Sequence, residues 1–155
     1  MGFFQFKRTK RIDASHQEVW KFISNPQNLG KITPPQMGFL ITSDLPAEMY
    51  AGMIISYKVK PLLGIPVTWV TEITSVEKGR YFVDEQRIGP YSMWHHQHII
   101  EPSSNGNGVI MHDIVSYKPP FGFIGSMINH LVIDRKLNEI FNYREIAINK
   151  FFENN

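Results

Sequence analysis

Between Phe39 and Lys118 the chain passes through six strand-like runs with nothing but turn signals between them. The runs are Phe39 to Thr42, Met53 to Lys60, Val67 to Val76, Arg80 to Arg87, Tyr91 to Ile100 and Val109 to Lys118. Their breakers are Leu45-Pro46 with Gly52, Pro61 with Gly64 and Pro66, Lys78-Gly79, Gly89-Pro90, and the Ser103 to Gly108 loop. Connections this short leave no room for the crossovers of a parallel sheet, so the segment is constrained to an antiparallel meander.

The flanks complete the architecture. Phe4 to Ile12 alternates as a first strand, and Ser15 with Glu18 three residues on forms a capping-box start for a helix carrying Val19, Trp20, Phe22 and Ile23. Asn25-Pro26 stops it; a second helical turn over Gln27 to Ile32 ends at Thr33-Pro34-Pro35, because proline lacks the amide proton and restricts the residue before it. After Pro119-Pro120-Phe121-Gly122 the remainder reads as one long helix. Its apolar stripe comprises Ile124, Met127, Ile128, Leu131, Leu137, Ile140, Phe141, Ile148 and Phe151, with Asp134, Arg135, Asn138, Glu139 and Glu145 opposite. That stripe needs a partner. The order of elements predicts an α+β domain spanning residues 1–155, an antiparallel sheet curled around the C-terminal helix with two short helices after the first strand.

Composition narrows the function classes. Lys+Arg 16 against Asp+Glu 14 gives a net charge of +2, and the cluster Lys7, Arg8, Lys10, Arg11 alternates within a strand, so it reads as a solvated edge and not as a nucleic-acid patch. No cysteine is present, which excludes disulfides, thiolate metal sites and a cysteine nucleophile. The N-terminus lacks a signal peptide, and no apolar run is long enough to span a bilayer; a cytoplasmic protein without stable membrane insertion is expected.

Chemistry concentrates in Trp94-His95-His96-Gln97-His98, which holds three of the six histidines. At the two-residue period Trp94, His96, His98 and Ile100 share one face, and His95, Gln97 and Glu101 the other. On Val67 to Val76 the apolar side carries Trp69 and Thr71; on Val109 to Lys118 it carries Met111, Asp113, Val115 and Tyr117. A tight hairpin at Gly89-Pro90 makes Asp84 and either Phe82 or Gln86 the same-face partners of Trp94 and His96. Asp113 then falls opposite or diagonal to His96 and His98. The expected interior patch is Asp84, Gln86, Trp94, His96, His98 and Asp113, rimmed by Trp69 and Tyr117.

These features resemble the START-like superfamily of helix-grip folds, which includes polyketide cyclases and coenzyme Q-binding proteins, and within it a bacterial ligand-binding group labelled cell-division-inhibitor-like. The residues carrying the resemblance include Ile32-Thr33-Pro34-Pro35, Trp69 to Ile73, Phe82 to Gln86 with Gly89-Pro90-Tyr91, Trp94 to His98, Met111 to Tyr117 and Ile140 to Arg144. The resemblance implies a seven-stranded antiparallel sheet gripping the C-terminal helix, with a cavity for sterols, lipids, polyketides, quinones or hormones between them. It carries over no catalytic residue.

The expected function is therefore the binding or carrying of a small hydrophobic ligand, with no cofactor. Trp69, Thr71, Asp84, Gln86, Trp94 and His96 are its candidate contacts, together with His98, Met111, Asp113 and Tyr117 from the sheet and Met127 and Leu131 from the helix. One alternative is a cyclase or dehydratase using His96, His98 and Asp113 as acid and base. Another is an interaction module with a filled core, the polar patch merely satisfying itself. His-x-His spacing without a distinctive third ligand does not make a metal site. The apolar turn Leu62 to Pro66 reads as a cavity lip or as a homodimer contact.

Overall fold

The computed structural model describes residues 3–61, 63–121, 124, 127 and 132–154. Strand β1 (Phe4–Ile12) leads into helix α1 (His16–Ile23), followed by 3-10 turns at Pro26–Ile32 and Pro35–Met37. Then come β2 (Leu40–Ile41), β3 (Ile54–Val59), β4 (Val67–Glu77), β5 (Tyr81–Ile88), β6 (Met93–Pro102), β7 (Val109–Lys118) and helix α2 (Asp134–Glu153). The strands form one antiparallel sheet of seven in the order β1-β7-β6-β5-β4-β3-β2, which is the meander plus the first strand closing on the last.

Local chemistry accounts for the boundaries. Ser15 and Glu18 form the expected capping box, each side chain taking the other's backbone N–H. Thr33-Pro34-Pro35 ends the first 3-10 turn but seeds a second, since proline is well suited to the first position of a helical turn. In the β6–β7 loop Gly108 has φ +83°, and a Cβ there would lie 2.6 Å from the Ile12 carbonyl oxygen, so only glycine lets β1 close against β7.

The inner face of the sheet is layered along the strands. One apolar cluster, with Ile12, Val19, Trp20, Ile73, Phe82, Ile100, Met111 and Ile148, fills the end covered by α1 and the last turns of α2. A second, with Phe6, Trp69, Tyr91, Val115, Tyr117, Leu137 and Phe141, fills the other end. Between them each inward row carries polar groups: Arg8 and Lys10 on β1, Asp113 on β7, His96 and His98 on β6, Asp84 on β5, Thr71 on β4, Tyr57 on β3. Helix α2 sets Arg144 over this belt, three residues after Phe141 and four before Ile148.

Two expectations change here. Lys10 is only 5% exposed and faces inward, not into solvent as an edge residue, because it shares the two-residue period of the buried Phe6 and Ile12. Lys7 and Arg11, on the outer face, are exposed as anticipated. Ile124 and Met127 are helical but 63% and 60% exposed, so the stripe does not point inward there; α2 meets the sheet through Ile133, Leu137, Phe141 and Ile148. No helix among the described residues is long and apolar enough to cross a membrane.

Candidate functional site

Register brings the central groups together. His96 pairs with Asp84 across β5–β6 and His98 with Asp113 across β6–β7, both on the inner face, while His95 turns outward to Glu85 at 2.7 Å. His96 Nε2 is 3.0 Å from Asp113 Oδ1, and His98 Nε2 is 2.6 Å from Asp84 Oδ2. The second nitrogens face the opposite carboxylates, His96 Nδ1 at 3.5 Å from Asp84 and His98 Nδ1 at 3.2 Å from Asp113. The two imidazoles lie against each other, ring centroids 3.7 Å apart, with a carboxylate on either side. The Arg144 guanidinium adds a third cation, its Nη1 at 3.6 Å from Asp113 Oδ1.

Burial sets the protonation of this group. Burial drives His96 down to about 4, helped by the charge of His98, so it is neutral at pH 7. Burial alone would lower His98 too; the close approach of Asp113, the hydrogen bond to Asp84 and the charges of both outweigh that and hold it above the usual imidazole value. For Asp113 burial opposes ionisation, but the hydrogen bond from His96, the close approach of His98 and the Arg144 charge keep its carboxyl well below the usual range. Asp84 shifts down for the same reasons, with His98 as its main partner. Lys10 falls to about 8, because burial costs its ammonium more than nearby Asp113 returns.

Over part of the belt the sheet and α2 do not touch, leaving a cavity of about 140 Å³. Tyr57, Trp69, Tyr91, Trp94 and Phe141 form much of its wall, Met37 and Met49 add thioethers, and Thr71, Asp84, His96, His98 and Arg144 make its polar side. Of the expected contacts, Trp69, Thr71, Asp84, Trp94, His96 and His98 line it.

Other expected contacts do not line it. Gln86 is drawn aside by the Gly89-Pro90 loop, where its amide accepts from Tyr91 N–H at 3.1 Å and donates to Tyr91 C=O at 2.6 Å, satisfying a backbone that has no strand partner. Met111 belongs to the cluster under α1, where the core is closed. Asp113 lies behind the histidines, fully buried, and reaches the cavity only through them. Tyr117 is covered by the rings of Phe4, Tyr91 and Trp94. Met127 faces outward, and Leu131 lies outside the described residues.

Sequence reasoning also missed Tyr57, Tyr91, Phe141 and Arg144 as lining residues. Arg144 had a legible signal, a cation within the 137, 141, 148 stripe; Tyr57 needed knowledge of which face of β3 looks inward.

Asp84, His96 and His98 have ligand atoms close enough for a cation, all within 4.8 Å of one another. The donor set does not suit one. Asp84 is committed to His98 at 2.6 Å, His96 to Asp113 at 3.0 Å, and the Arg144 charge stands beside Asp113. A dication would have to displace these contacts.

No protein-family model matches the chain, and no curated protein sequence matches it. Solved structures do. A START superfamily protein from Mycobacterium smegmatis superposes with TM-score 0.73 at 11% identity, covering 99% of both chains. Protein Ms6760 from the same organism gives 0.70 at 14% identity, over 96% of this chain and 90% of that one. The major latex-like protein 151 of Panax ginseng gives 0.65 at 9% identity, over 96% and 97%. At these identities the likeness concerns architecture, and together with the seven-stranded sheet closed on α2 it shows that the chain has the START-like, helix-grip fold.

Proposed function

We propose that the protein binds or carries a small, largely hydrophobic molecule enclosed between the sheet and α2. The observation that supports this most directly is the cavity itself, with aromatic and thioether walls and a polar side formed by Thr71, Asp84, His96, His98 and Arg144. Such a site gains affinity by desolvating apolar surface and gains orientation from a few placed polar groups. In this reading the β3–β4 turn is its lip, since Pro61 lines the cavity while Leu63 and Ile65 project outward.

A cyclase or dehydratase is the second reading, favoured by a His96 that meets the cavity and hydrogen-bonds Asp113. Both nitrogens of His96 and of His98 already face carboxylates, which supports a binding role over proton transfer to a substrate. Native mass spectrometry of protein purified from its own host tests enclosure. A copurifying small molecule that is lost in Thr71→Phe is expected; bare protein that also takes up no apolar probe would sink the proposal. Conversion of the copurified molecule by wild type but not by His96→Ala would favour the enzyme.

A further inference from the structure

We propose, building on the enclosure reading, that the cavity takes a compact aromatic carboxylate, its ring held among the aromatic walls and its carboxylate on the Arg144 guanidinium. Size comes first. At about 140 Å³ the cavity is close in size to an apolar cavity of about 150 Å³ that takes benzene, which suits a compact ring better than a sterol. The walls suit a ring. Trp69 lies edge-on to Trp94 at 5.3 Å and to Tyr91 at 5.7 Å, and Tyr57 stacks on Trp69 at 6.1 Å, a preformed arrangement of faces and edges for a further aromatic group.

The uncommitted polar atoms on that wall are donors. Trp69 Nε1, His98 Nδ1 and Arg144 Nε and Nη1 are buried and have no hydrogen-bond partner, and the unpaired acceptor of the belt, Asp113 Oδ2, lies off the cavity wall. Buried donors are normally satisfied, and guanidinium in particular pairs with planar oxyanions. Asp113, at 3.6 Å from Arg144 Nη1, offsets charge without accepting a hydrogen bond from it. Asp84, the carboxylate on the cavity wall, already holds His98 at 2.6 Å. Tyr57 is engaged with Thr71 at 3.2 Å. What the wall lacks is an acceptor.

Charge points the same way. On the belt the Arg144 guanidinium lies 3.6 Å from Asp113, which already accepts from His96, while Asp84 is taken by His98. Lys136, also on the wall, is matched by Glu139 at 3.2 Å. An oxyanion on the cavity side would meet the Arg144 guanidinium directly, and in a low-dielectric interior that favours an acid over its neutral analogue.

Phenylacetate, phenylacetamide and toluene, titrated against the full chain with the tryptophan indole N–H resonances and calorimetry as readouts, separate the possibilities. Phenylacetate should bind at least about tenfold more tightly than phenylacetamide and shift the Trp69 indole resonance. Arg144→Gln should abolish the preference and Arg144→Lys should keep part of it. The acid–amide comparison on wild type needs no variant, so a misfolded Arg144→Gln does not block the test. Equal binding of acid and amide, or a preference that survives Arg144→Gln, overturns the carboxylate assignment and leaves enclosure standing. Binding of laurate with none of the three ring probes does the same. If neither ring probes nor laurate bind, both readings fall.

Discussion

Asp113→Asn removes one charge from the centre of the belt with almost no change in shape. Asp113 is fully buried, accepts from His96 Nε2 at 3.0 Å, and lies 3.2 Å from His98 Nδ1 and 3.6 Å from Arg144 Nη1. Breaking a buried charge pair by removing one partner costs about 3–5 kcal/mol, because the other charge is left uncompensated. The asparagine carbonyl can still accept from His96, a bond worth about 1 kcal/mol, so the lower end, about 3 kcal/mol, is expected. For a chain of this length that corresponds to roughly 6–12 °C in Tm. Urea unfolding at pH 7, followed by tryptophan fluorescence, should show a lower midpoint at unchanged slope. The pH dependence carries a sign. The Asp113 carboxyl is held well below its ordinary value, so its stabilisation is complete above about pH 3.9 and drains away as pH falls further. The gap between wild type and variant should therefore narrow on acidification below about pH 4. A difference under about 1 kcal/mol at pH 7, or a gap that widens in acid, would refute the assignment of Asp113 as the counter-ion of the belt.

Lys10→Met replaces a buried ammonium with an apolar side chain of similar length. With its pKa lowered from 10.5 to about 8, the unfolded chain holds this proton more firmly, so wild-type stability should rise between about pH 8 and 10.5. The variant should lose that rise and be more stable at pH 7 by up to about 3 kcal/mol, as urea unfolding at pH 7 and pH 10 would reveal. His95→Ala should cost less than about 1 kcal/mol and His96→Ala at least about 3, since only the second opens the buried network; equal losses would mean the faces of β6 are misassigned. Ser15→Ala should lower stability by about 1 kcal/mol through loss of the capping box, visible as an earlier thermal transition. Gly108→Ala should destabilise by more than about 1 kcal/mol, and a neutral result would contradict the 2.6 Å approach to Ile12.

Much of the site could be read because β-structure converts sequence parity into geometry. A tight hairpin at Gly89-Pro90 puts Asp84, His96, His98 and Asp113 on one face and His95 on the other by counting alone, while the exact pairs, His96 with Asp84 and His98 with Asp113, come from the register of the folded sheet. Counting failed where something other than parity chose the outcome. Gln86 shares the parity of Asp84, yet an unpaired loop backbone captured its amide, and β4 is irregular at Val70/Thr71 opposite it. Lys10 has the parity of an inward residue and was misjudged by chemistry, because charge usually means solvent.

The sequence by itself determined the meander, the capping of α1, the inward face of β6 and the grouping of His96 and His98 with Asp84 and Asp113, since all of these rest on local spacing and short turns. Tertiary structure decided what those faces enclose. Only closure of β1 on β7 buried Lys10 beside Asp113, and only the seating of α2 placed Arg144 over the belt and left about 140 Å³ open beside it. Cavity size and unmet donors depend on how two distant elements fit, and that fit is a sum over side-chain shapes that no spacing rule along the chain encodes.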